Sequence, residues 1–194
     1  MEKLNNIFAP CIIHETSNNV AQVSLSSHLL KDRKIFLIGE INAESMGTLM
    51  QELMYLDSES NEPIELFINS VGGQITSGMA VYRYITEVMH SQINTYCIGS
   101  AASMGAILYL AGLERYIYEG AKIIIHDPSS VSGSYEKPGE LKDRLENLEK
   151  TKNMLCSIIA DRTGHTFDEI SDIIKNDRIY DADEALEFGF ATNI

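Results

Sequence analysis

Three cysteines are too few and too scattered to hold this chain together. Cys11, Cys97 and Cys156 form an odd set with no Cys-x-x-Cys spacing and no nearby histidine pair, which argues against a disulfide framework or a zinc site. Buried or inert thiols in a reducing compartment are the expectation. Long apolar runs are missing too: no stretch approaches the ~18 uninterrupted apolar residues of a spanning helix. Met1 to Asn6 lead into Ile7-Phe8-Ala9-Pro10 and not into an apolar signal core, so a cytoplasmic location is expected. Positive charge is scarce, with 15 Lys and Arg against 28 Asp and Glu and a net charge of −13. That balance repels phosphate backbones and anionic lipid, so neither nucleic acid nor a membrane is expected as a partner.

What is present is an ordinary globular composition of 194 residues, 44% hydrophobic and 22% charged, enough for one core. No repeat, low-complexity tract or linker divides it, so a single domain over 1–194 is expected. The acidity is uneven. No Lys or Arg lies between Lys34 and Arg83, where seven acids fall from Glu40 to Glu65, and these read as solvated faces.

Lys34 to Gly39 reads as a buried strand closed by glycine, and Ala43 to Leu56 as a helix with Met46, Leu49, Met50 and Leu53 on one stripe. Ile64–Ile68 is the next strand, ending in the turn Ser70-Val71-Gly72-Gly73. A helix follows over about Ile75 to Met89, then a strand over Ile93–Ile98 and a small-residue run Gly99 to Ala102 leading into a helix from Ser103 to Ala111. Short strands are expected at Arg115–Tyr118 and Lys122–Ile125. Alternating strands and helices with short connections predict an α/β fold around a largely parallel sheet. After His126 the character changes: Asp127 to Lys137 is Ser- and Gly-rich, and Gly139 to Arg162 is a long charge-laced helix. Thr166 with Glu169 and Asp181 with Glu184 have capping-box spacing, with Gly189 as a stop.

The glycine turns at Gly72-Gly73 and Gly99–Gly105 follow buried strands, the position where open α/β sheets bind ligands. Neither matches a phosphate-binding pattern, so nucleotide binding lacks support. Ser103 stands at a strand-to-helix turn among small neighbours, as a nucleophile elbow does, although the local sequence by itself favours a plain N-cap serine. His126 ends the run Ile123-Ile124-Ile125, placed either to act as a general base or to donate to a backbone carbonyl. Asp177 beside Arg178 reads locally as a surface ion pair.

Together these segments resemble the Clp/crotonase-fold serine peptidases, the family of the ATP-dependent Clp protease proteolytic subunits. The resemblance runs from about Pro10 to Ile194. It rests on Leu29-Leu30-Lys31-Asp32-Arg33, Phe67-Ile68-Asn69-Ser70 with Gly72-Gly73, Ala101-Ala102-Ser103-Met104-Gly105-Ala106, Ile125-His126 with Pro128, and Asp177-Arg178 with Glu184-Ala185. It implies an α/β fold of repeated ββα-type units with a protruding handle over 127–163 and an N-terminal segment over 1–19. It further implies Ser103 as nucleophile, His126 as base and Asp177 as the group orienting the imidazole. Backbone N–H groups of Gly73 and Met104 would form the oxyanion hole, and Gly72, Gly73, Asp127 and Pro128 would border the substrate.

The implied activity is hydrolysis of peptide bonds in unfolded chains, inside two stacked heptameric rings fed by an AAA+ Clp unfoldase. The subunit itself would need no metal or other cofactor. A weakly active or inactive ring subunit partnering an active paralogue is the alternative, and a crotonase-type enzyme acting on acyl-coenzyme A a more distant one. Val71 replaces the family's usual proline, Asp127 its usual glutamine, and Glu65 and Glu87 stand where aromatic residues for unfoldase docking are usual. An inward-pointing Asp127 would act on His126.

Overall fold

The apolar run after Arg33 becomes an edge strand of the main sheet. The computed structural model describes residues 11–16, 19–129 and 137–194, so most of the expected N-terminal segment 1–19 and part of the expected handle, 130–136, lie outside the described residues. The chain opens with β1 (Cys11–Thr16) and β2 (Asn19–Ser24), an antiparallel hairpin that the sequence reading had left unassigned, and α1 (Leu25–Lys31). Then come β3 (Lys34–Ile41), α2 (Ala43–Glu59), β4 (Ile64–Gly73) and α3 (Ile75–Arg83), which continues as a π-helical turn over Tyr84–Val88. The second half holds β5 (Ile93–Ala102), α4 (Met104–Leu110), β6 (Arg115–Ile117), β7 (Lys122–Ile125), α5 (Pro138–Thr163), α6 (Phe167–Ile173), β8 (Arg178–Tyr180) and α7 (Ala182–Phe188).

The main sheet runs β3-β4-β5-β7-β8, with β6 also paired to β5. Every pairing is parallel except β7 with β8. On β4, Ile64, Leu66 and Ile68 are wholly buried while Glu65, Phe67 and Asn69 are not, the alternation of a strand with one covered face. Leu49 and Leu53 of α2, Met79 of α3 and the nearly all-apolar α4 join Ile35, Leu37 and Cys97 in the core. Burial pushes the Cys97 thiol up to about 11, which leaves it unreactive as expected.

The other face carries a row of stacked rings in register across four strands: Phe36, Phe67, Tyr96 and Tyr116, with centroids 5.2, 4.8 and 4.7 Å apart. Phe36 and Ile38 are about half exposed there. Parallel sheets are normally covered on both faces. Among the described residues, no helix covers this row.

Two elements exceed the sequence reading. β4 continues from Ile68 to Gly73, and β5 from Ile98 to Ala102, through register shifts that absorb the small residues. Backbone pairing thereby reaches the glycine turn and Ser103 directly. Both expected capping boxes are present, at Thr166 with Glu169 and Asp181 with Glu184, and Gly189 ends α7. In α5, Cys156, Ile159 and Ala160 are buried, whereas Leu141 and Leu145 of its first half are exposed. The long helix is anchored only by its C-terminal half.

Candidate active site

The strand order fixes which loops meet. β4, β5 and β7 are parallel neighbours, so Gly72-Gly73, Ser103 and His126 emerge at the same end of the sheet. β8 runs antiparallel, so its beginning lies at that end too. The β7–β8 ladder closes with Ile125 opposite Arg178, so one further paired step would set His126 opposite Asp177. Residues far apart in sequence reach one sheet end by topology alone.

Ser103 has φ 54° and ψ −120°, a conformation that costs a non-glycine residue on the order of 1–3 kcal/mol. It is held by its own N–H donating to the Ile124 carbonyl at 2.8 Å. Ser103 occupies the N-cap position of α4, but its side chain caps nothing. The cap reading therefore fails, and the hydroxyl is uncommitted among the described residues. It lines a pocket with His126 and Pro128, floored by apolar side chains that include Ile75, Met104, Leu155 and Ile159.

Gly72 passes against this turn. A methyl group there would lie 2.6 Å from the Ala102 carbonyl oxygen, 2.7 Å from Ser103 Cβ and 3.1 Å from Met104 N. At Gly73 it would overlap the Ile41 carbonyl oxygen. Both glycines also have positive φ, 88° and 148°. Ser70, which the sequence reading did not single out, pins the approach: its buried hydroxyl donates to the Gly39 carbonyl at 2.6 Å and accepts the Gly72 N–H at 3.1 Å. Nothing in a lone serine before a glycine pair signals that role. Met104 N–H belongs to the first turn of α4, where no intrahelical acceptor exists.

The other half is arranged differently. His126 Nδ1 lies 2.8 Å from the main-chain carbonyl of Asp127, so that nitrogen carries the proton and donates it. Among the described residues, no hydrogen bond joins His126 to Ser103 or to Asp177. The Asp127 carboxylate does not face His126, as an inward orientation would require, but accepts from Lys152 Nζ of α5 at 2.9 Å. Asp177 is exposed and borders a separate depression with Asp172, Asn176 and Phe188. It forms no ion pair with Arg178, which sits 4.0 Å from Glu184 and over the Tyr180 ring.

Ser103, Gly72, His126 and Pro128 are thus brought together, whereas Asp177 lies just past the last β7–β8 pair and lines a separate depression. Among the described residues, no group of His, Cys, Asp and Glu is placed to hold a metal ion, and no helix is long and apolar enough to cross a membrane. The family model described as Clp protease matches residues 17–194, nearly the whole chain. The chain belongs to the Clp protease family, and the α/β architecture agrees with that membership.

Proposed function

From membership of this family, which implies a serine peptidase of the Clp type, we propose that Ser103 is the nucleophile, His126 the general base and Asp177 the carboxylate that orients the imidazole once the site is assembled. The Ser103 backbone carries the reading. A strained serine between a strand and a helix, with an uncapping hydroxyl beside a histidine and a glycine pair, has the form of an activated nucleophile turn. Ser103 Oγ attacks the scissile carbonyl carbon while His126 takes its proton. Charge on the former carbonyl oxygen is met by the N–H groups of Gly73 and Met104. The C–N bond breaks as His126 protonates the departing amine, and water then releases the acyl group from Ser103. The apolar floor favours an apolar substrate side chain, with the peptide extended along Gly72-Gly73 and past Asp127 and Pro128.

Clp proteases generally form rings that work with AAA+ unfoldases. Two stacked heptameric rings in the cytoplasm, degrading unfolded polypeptides with no cofactor of their own, are the assembly proposed for this chain. The exposed Leu141 and Leu145 of α5 and the open aromatic row suit contacts between subunits and with the unfoldase. A weakly active ring subunit partnering an active paralogue is the second reading, favoured by the lack of a His126–Asp177 hydrogen bond. A fluorophosphonate probe on the assembled protein separates the two. Labelling of the wild-type chain that Ser103→Ala abolishes is expected, and an adduct that survives Ser103→Ala sinks the peptidase assignment.

A further inference from the structure

Lys152 lies on the buried face of α5, in helical register with Leu155, Cys156 and Ile159, and its side chain is only 15% exposed. Its ammonium meets Asp127 Oδ2 at 2.9 Å, a hydrogen bond that pushes the lysine pKa up. The second oxygen of Asp127, Oδ1, is buried with no partner among the described residues. Lys152 is therefore what holds this carboxylate in place. The carbonyl of the same residue takes the Nδ1 proton of His126. One proton serves one strong acceptor, so His126 cannot donate to Asp127 O and to Asp177 together. The β7–β8 ladder ends with Ile125 opposite Arg178, so Asp177 is the residue that one more paired step would bring opposite His126.

We propose that Lys152 is a positioning residue: through its ion pair with Asp127 it holds the Asp127 carbonyl on His126 and so keeps the imidazole from Asp177. The proposal rests on the Ser103–His126 reading and adds a control on it. The handle helix carries the lysine, and Asp127 stands where the family's usual residue, glutamine, has no charge to offer. Removal of the cation leaves a partly buried carboxylate without its counter-charge, which drives the 127 side chain toward water and its peptide with it. Among the described residues, the other charged group near the latch is Glu149 on α5, while the Arg178 guanidinium is turned to Glu184 and the Tyr180 ring.

The test uses the assembled protein, with fluorophosphonate labelling of Ser103 and steady-state cleavage of a fluorogenic peptide. Lys152→Met and Asp127→Gln are each expected to speed labelling about five-fold, the scale on which one ion pair shifts an equilibrium. In Lys152→Met, kcat rises with KM unchanged, and the double variant gains nothing further. Lys152→Arg, which keeps the ion pair, behaves as the wild type. Asp177→Asn costs about five-fold more in the Lys152→Met background than alone, because more molecules then depend on Asp177. Melting temperatures identify any variant that fails to fold, and the other single variant then carries the test. Unchanged or slower labelling in the folded variants, or additive gains in the double variant, overturns the proposal. Absence of labelling in every form, wild type included, overturns it together with the peptidase reading and is recognisable as that larger failure.

Discussion

The two halves of the site are built by different means. Around Ser103 the parts are backbone against backbone: a strained turn, Gly72 in contact with it, and a buried serine hydroxyl pinning the approach. Around His126 the parts are side chains: one imidazole proton on a main-chain carbonyl, the proposed second acceptor Asp177, and an ion pair from a helix anchored over half its length. Packed backbone has few other arrangements, because each displaces neighbours at close-packed density. Exchange between two hydrogen-bond acceptors costs far less. The proposed nucleophile and oxyanion donors are therefore the permanent half, and the proposed base with its carboxylate the adjustable one.

The comparison breaks most sharply at the glycines. Gly72→Ala places a methyl group against Ala102 and Ser103 at a backbone angle that L residues avoid, at an expected cost of about 3 kcal/mol or more. The melting temperature falls and Ser103 labelling is lost. If the variant melts and labels as the wild type does, the nucleophile half is not rigid and the contrast is wrong. Asp177→Asn comes next. The side chain is exposed, so stability changes by less than about 0.5 kcal/mol, while turnover falls about a hundred-fold. Calorimetry beside peptide hydrolysis reads both, and unchanged turnover would remove Asp177 from the triad.

Legibility followed the same division. Strand and helix types, both capping boxes and the Gly189 stop were readable because period, cap residues and glycine act locally. Ser103, His126 and the glycine pair were singled out by their places at strand ends. Each has an ordinary local use, and only the order of the motifs together gave them a joint role. Lys152 was invisible: a lysine in a charge-laced helix reads as solvated, and only the fold turns that position toward Asp127. The short β8 and the hairpin β1–β2 went unread because three-residue and polar strands have no periodicity to detect. Arg33 shows the same limit. Its motif was noted, but its work, donating to the carbonyls of Leu56, Ser60, Glu62 and Pro63, depends on a loop that only tertiary structure brings near.

The smallest expected effect lies away from both halves, on the open sheet face. Glu65 stands beside the aromatic row, where it pairs with Lys34 at 3.6 Å and accepts from the Tyr96 hydroxyl at 3.5 Å, and Glu87 is exposed on the π-helical turn. A carboxylate at the rim of an apolar surface must lose water when a partner's apolar segment covers it, and an exposed ion pair returns little of that cost. The rings remain, so the proposed docking surface would keep its affinity in part. Glu65→Tyr with Glu87→Phe should therefore raise the affinity of an AAA+ Clp unfoldase several-fold while peptide hydrolysis by the ring alone stays unchanged. Titration of unfoldase-dependent degradation against unfoldase concentration measures the shift. Equal affinity in both forms would mean that the two carboxylates lie outside the contact and that the row from Phe36 to Tyr116 has another occupant.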